Sequence, residues 1–389
     1  MDRRGLLAAS AATLSGLTGF GFTGWARAAA PLPASSPRLL VLIELRGGND
    51  GLNTVVPADD GRYHDLRPRI ALRDDALLRL APELTLHAAL APLAPLWQAG
   101  ELAVLRGVGY PQPNLSHFRS IEIWDTASDS AQTLQQGWLT RVALAEATRF
   151  GVFAADGVNV GAADLGPLGG GARAIAVADP ERFVRAARLA QADGRAARGA
   201  LAHLLRVEAD IVRAGAEIRP DHRFATEFPR GPLGQALQHA AGIAATRKVP
   251  VLRVTLGGFD THQNQLNAHA ALLRQVGEGI AALRAALVEV DLWQNTLLLT
   301  YSEFGRRPRE NGSGGTDHGT ASVHFACGGQ VRGGLYGEPP AFDRLDRDGN
   351  LPHAIDFRSV YATVLEHWWQ LDSARALGGR FAPLPLLRT

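Results

Sequence analysis

Apolar residues in this chain fall into two patterns. The first is the short unbroken run ending in glycine and polar residues. Residues 39–45, Leu-Leu-Val-Leu-Ile-Glu-Leu, lead into Arg46-Gly47-Gly48-Asn49-Asp50-Gly51. Residues 102–105 lead into Arg106-Gly107-Val108-Gly109, residues 249–255 into Gly257-Gly258-Phe259-Asp260-Thr261-His262, and residues 296–301 into Ser302-Glu303-Phe304-Gly305. Such runs predict strands of a mostly parallel sheet buried on both faces. The polar stretches are then loops at the strands' carboxyl ends, the edge where open α/β sheets bind ligands. The second pattern is a stripe. Leu273, Val276, Ile280, Leu283 and Leu287 recur at steps of three and four, predicting an amphipathic helix between the last two strands. Strand, helix and strand at this spacing form a crossover unit, so the predicted class is α/β, a mostly parallel sheet sandwiched by helices. Residues 356–371 predict another amphipathic helix. The Ala-, Arg- and Leu-rich stretch within residues 180–245 predicts a helical insertion or cap.

The N-terminus has a different character. Arg3 and Arg4 precede a weakly apolar stretch, residues 6–25, then Ala26-Arg27-Ala28-Ala29-Ala30 and a Pro/Ser-rich run. A charged start, an apolar middle and a small-residue cleavage site make a secretory signal over residues 1–30. The arginine pair and diluted hydrophobicity favour the twin-arginine route and a periplasmic or extracellular destination. One α/β domain over residues 38–385 would follow. Its charge is nearly balanced, 40 basic against 38 acidic residues, with no basic block. Nucleic-acid binding is therefore disfavoured. The single cysteine, Cys327, excludes a disulfide within the chain.

Nearly all the chemically interesting residues lie in loops after the predicted strands. Asp50, Asp260, His262, Asp317 and His318 are the candidate metal ligands, because carboxylate oxygens and imidazole nitrogens suit zinc or manganese. Each also has a plainer reading: Asp50 can shape a turn, and Asp260 can cap the following helix. Asp317-His318 sits in a Gly/Ser-rich loop without apolar periodicity. His324, on the apolar stretch 323–326, and His269, on the predicted helix, are weaker candidates. Glu303 is a candidate ligand or base, and Arg306 with Arg307 a candidate grip for an oxyanion. Ser116, before a predicted helix, is the candidate nucleophile, where free amides and the helix dipole favour an anion. Ser116 can equally be a simple N-cap, and His117 can face the metal instead.

Several motifs together resemble one family. They are residues 44–53 (Glu-Leu-Arg-Gly-Gly-Asn-Asp-Gly-Leu-Asn), 113–118 (Pro-Asn-Leu-Ser-His-Phe), 257–262 (Gly-Gly-Phe-Asp-Thr-His), 300–306 (Thr-Tyr-Ser-Glu-Phe-Gly-Arg), 315–320 (Gly-Thr-Asp-His-Gly-Thr) and 328–337. The chain resembles the bacterial domain of unknown function 1501 over residues 38–372, a family whose members typically carry twin-arginine signals. That family in turn is similar, in motif order, to the alkaline phosphatase, sulfatase and phosphoglycerate mutase superfamily. The resemblance implies a metal-dependent hydrolase of a phosphate or sulfate ester, acting on a small-molecule ester or an envelope component. It also implies a second class of reading, a non-catalytic binding or assembly protein on the same fold. An exported protein of the neighbour-encoded 1800 family would be its partner. This sequence carries Ser302-Glu303-Phe304 where that superfamily has an Asp-His pair.

Overall fold

Strand β1 (Leu39–Leu45) shows why its apolar run takes the centre of a sheet. All seven residues are buried. Leu39, Val41, Ile43 and Leu45 enter one hydrophobic cluster, while Leu40 and Leu42 enter another. This is the alternation a pleated strand imposes, and it means a core on each face. Each fully buried leucine contributes roughly 1.5–3 kcal/mol.

The computed structural model describes residues 38–177, 217–218 and 222–388. The remaining strands, in chain order, are β2 (Leu77–Ala81), β3 (Leu84–His87), β4 (Leu102–Gly109), β5 (Gly157–Val160), β6 (Ala174–Val177) and β7 (Val251–Leu256). They continue with β8 (Thr296–Tyr301), β9 (Gly305–Glu310), β10 (Thr316–Gly319), β11 (Ser322–Cys327), β12 (Gly334–Tyr336) and β13 (Ile355–Asp356). Nine strands form the main sheet in the order β12-β4-β11-β8-β1-β7-β5-β6, with β13 beside β4. β1 lies parallel to both β7 and β8, with Ile43 level with Val254 and Thr300. Among the described strands of this sheet, only β11 runs antiparallel to its neighbours, β4 and β8. The fold is thus α/β with a mostly parallel sheet flanked by helices. β2 pairs with β3, and β9 with β10, in two small antiparallel pairs.

The helix Gln265–Glu289 carries the β7-to-β8 crossover, and Leu273, Val276, Ile280, Leu283 and Leu287 are all buried on it. The expected signal, residues 1–30, lies outside the described residues, as does much of 180–245. The described end of the expected insertion or cap is helical and packs on the sheet. Helix Pro232–Ala245 sends Leu233, Leu237, Ala240 and Ala241 into the main core.

Three local expectations change. β4 continues through Arg106 to Gly109 because β13 and β11 extend the ladder there, with Val108 opposite both Ile355 and Ser322. Asp317-His318 lies on β10, held by β9, and is not a free loop. The C-terminal helix is α-helical only over Phe357–Ala362 and then widens into a π-helical turn, Thr363–Trp368. No helix among the described residues is long and apolar enough to cross a membrane.

Candidate metal centre

Three segments deliver one cluster of side chains to the carboxyl edge of β1, β7 and β8. The loop after β7 brings Asp260 and His262, β10 brings His318, and the first turn of helix His117–Thr126 brings His117. Their approach depends on Gly47, after β1. Its φ of +120° is open to glycine, and a side chain there would run into the backbone of Phe259 and Asp260.

One ligand atom from each of His117, Asp260 and His318 lies within 4.8 Å of the other two. Nε2 of His318 is 3.2 Å from Asp260 Oδ1, and Nε2 of His117 is 3.4 Å from Asp260 Oδ2. His262 joins them, its Nε2 3.0 Å from Asp260 Oδ1 and 3.0 Å from His318 Nε2.

The outer partners define which nitrogens carry protons. Nδ1 of His318 meets the Leu115 carbonyl at 2.8 Å, which only accepts, so Nδ1 carries the hydrogen. Burial lowers the His318 pKa, keeping the ring neutral and leaving Nε2 as a lone pair. Nδ1 of His117 likewise donates to the buried Glu303 carboxylate at 2.7 Å. That bond raises the His117 pKa, against burial. In the neutral ring its Nε2 is a lone pair too, and Nε2 has no hydrogen-bond partner among the described residues. Burial raises the Asp260 pKa, but the hydrogen bond and charge of the Arg306 guanidinium act against it, and the carboxyl is held at about 2. With both rings neutral, two imidazole lone pairs and a carboxylate converge, the donor set that suits a divalent cation. Histidine nitrogens fixed by an outer carboxylate and a backbone carbonyl are the usual support of a metal site. Three protein ligands with a position left open are the pattern of catalytic zinc.

The structure separates the expected site residues. Asp260, His262 and His318 come together. Asp50 does not join them, which corrects its expected role as a ligand. Its fully buried carboxylate is gripped by Arg67 at 2.6 and 3.0 Å and accepts the Leu52 amide and Gln265. No lone pair is left to point outward. Asp317 is also displaced: it is exposed, bonded to Asn311, and 3.6 Å from Nδ1 of His262. It lies behind that ring. Glu303 is no direct ligand either, because it accepts the Gly47 amide at 2.9 Å as well as His117.

Arg306 is the clearest correction among the catalytic candidates. Its buried guanidinium donates to the carbonyls of Gly48, Gly47, Thr316 and Phe259, and pairs with Asp260 at 2.7 Å. It stitches the loops together and cannot grip a substrate oxyanion. Ser116 is the exposed N-cap residue of helix His117–Thr126, and its hydroxyl makes no capping bond. His269 is buried against Asn49, with Nε2 3.0 Å from Oδ1, and burial lowers its pKa to about 4. His324 is buried beside Trp124 and pushed down to about 3. Sequence reading missed Arg67, Gln265 and Asn311, whose partners lie 17, 215 and 6 residues away and follow no local spacing.

Fold and site together define an α/β protein with a histidine–carboxylate cluster at the carboxyl edge of a mostly parallel sheet. The chain belongs to the family described as protein of unknown function DUF1501, whose family model matches residues 106–379. No curated protein matches it in sequence. It is similar to the lipoteichoic acid synthase LtaP from Listeria monocytogenes, at 7% identity and a TM-score of 0.40, covering 88% of this chain and 74% of that one. It is also similar to the C-terminal periplasmic domain of EptC from Escherichia coli, solved in complex with zinc, at 11% identity and a TM-score of 0.35, covering 75% and 73%. A third similar structure is a protein in the alkaline phosphatase superfamily from Vibrio parahaemolyticus, at 9% identity and a TM-score of 0.36, covering 77% and 62%.

Proposed function

We propose that this chain is an exported metal-dependent hydrolase of a phosphate or sulfate ester, with zinc or manganese held by His117, Asp260 and His318. The observation that carries this reading is the convergence of their three ligand atoms within 4.8 Å, with both outer imidazole nitrogens already bonded elsewhere. A bound divalent ion would supply Lewis-acid polarisation of a phosphoryl or sulfuryl oxygen. His262 stands against the same Asp260 oxygen as a fourth donor or as a base beside the ion. Glu303 and the Leu115 carbonyl hold the two rings in position. Ser116 is the attacking hydroxyl in this proposal. It is exposed, free of capping duty, and placed where the first amides of a ten-residue helix favour an anion. Export rests on Arg3, Arg4 and the stretch that follows them.

The test is elemental analysis of the purified protein together with turnover of p-nitrophenyl phosphate and p-nitrophenyl sulfate. Near-stoichiometric zinc or manganese is expected, lost in Asp260→Asn and His318→Ala, with turnover abolished by a chelator and restored by one metal. A folded protein without metal affinity, turning over neither ester, overturns the proposal.

A further inference from the structure

A second concave site, outside the histidine cluster, lies between β4, the turn after β1 and the segments around residues 338–341 and 351–354. It is a cavity of about 160 Å³. At roughly 10–15 Å³ per water-sized group, that is room for about a dozen such groups. Leu52, Val55 and Val323 give it an apolar lining, and Pro339, Pro340 and Pro352 stiffen its wall. A wider cleft of about 500 Å³ shares Val55, Arg106, Pro339 and Pro340 with it, which puts Arg106 where the two meet.

Arg106 is the unusual member. Its Nη2 donates to the Gly337 carbonyl at 3.0 Å, which fixes the guanidinium. Its Nε is buried with no hydrogen-bond partner among the described residues. Burial lowers the Arg106 pKa although Glu338 and Glu83 oppose that shift from a distance. Neither carboxylate forms an ion pair with it among the described residues. Arg106 is half-buried, and its Nη1, which is neither buried like Nε nor bonded like Nη2 among the described residues, is the donor left to meet an anion. Glu338 and Arg344 also line the cavity with opposite charges, and Arg306, the other cation there, is bonded to backbone carbonyls and Asp260. That leaves one unanswered positive charge, on Arg106, and a monoanion as the matching ligand.

We propose that this cavity binds a small monocarboxylate with a short apolar body, the carboxylate on Arg106 and the body between the leucine, valine and proline side chains. Proline-rich walls that need little reordering on binding favour such a pocket. None of His117, Asp260, His262 and His318 lines the cavity, and Arg306, which does, reaches the cluster only through its bond to Asp260.

Isothermal titration of the purified full-length protein tests it, with hexanoate as the probe and hexanol and hexyl phosphate as controls. Saturable binding of hexanoate at one site is expected, with each control at least about tenfold weaker. Arg106→Gln should weaken hexanoate by about tenfold or more, while chelator treatment leaves it unchanged. Circular dichroism checks that the variant is folded. If Arg106→Gln fails to fold, Ala341→Trp, which fills the cavity from a half-buried wall position, should abolish binding instead. Absent saturation, equal binding of hexanol or hexyl phosphate, sensitivity to the chelator, or binding undisturbed by these substitutions each overturns the proposal.

Discussion

Two aspartates after neighbouring parallel strands have opposite fates. Asp50, after β1, and Asp260, after β7, each pair with a buried arginine, Arg67 or Arg306. Asp50 is sealed in, and four donor groups take both of its oxygens. Asp260 keeps 46% of its side chain exposed, and its neighbours at the open side are imidazoles. The lesson is that an arginine partner alone does not decide a carboxylate's role. What decides it is whether lone pairs remain and whether other lone pairs converge on the same point. The sealed pair holds a loop, and the open one can hold an ion.

The comparison breaks most visibly on the sealed side. Arg67→Ala leaves the Asp50 charge buried without its partner and should cost about 3–5 kcal/mol in urea unfolding. Metal bound per folded molecule should not change. If Arg67→Ala depletes metal in the folded protein, Asp50 belongs to the site after all.

The next effect is acid sensitivity from the buried group behind Asp50. The His269 pKa is about 4 in the folded protein, against 6.5 for the free side chain, and burial is the main cause. The unfolded chain takes up its proton first as pH falls. Stability is therefore fully present above pH 6.5, and about 3 kcal/mol drains away as pH falls toward 4. Urea midpoints between pH 7 and 4 check this, and His269→Gln should flatten the slope.

Asp260→Asn is the test on the open side. It should reduce metal affinity by at least about 100-fold, above the 10–100-fold typical of outer partners. The accompanying loss of stability should be only about 1 kcal/mol, since solvent screens the site. Metal titration and thermal unfolding of the same sample separate the two. The smallest effect belongs to Glu303→Gln, which keeps a bond to His117 but loses the charge behind it. Metal affinity should fall by about 10–100-fold with the ligands intact. No change at all would reduce Glu303 to a clasp on the Gly47 amide.

Much of the scaffold was legible because it follows local periodicity. The run 39–45 became β1 unchanged, and the stripe from Leu273 to Leu287 is buried along its helix. Those signals are short in range: continuous apolar runs make two-faced strands, and steps of three and four make one-faced helices. Loops at strand ends were legible for the same reason, which is why Asp260 and His262 could be named; His318 was named from an expected loop that is in fact strand β10. β4 was read too short because its last four residues owe their strand state to partners more than 200 residues away.

What the sequence by itself determined is the class of the fold and the set of residues available for chemistry. Tertiary structure alone assigned their roles. Asp50 and Asp260 look alike in the chain, as do Arg306 and Arg307, yet one aspartate is consumed by Arg67 and one arginine by four backbone carbonyls. His117 enters the cluster because Glu303, 186 residues away, turns its ring. Hydrogen-bond capacity is finite and is allocated only when distant segments meet, so spacing along the chain cannot show which lone pairs are left over.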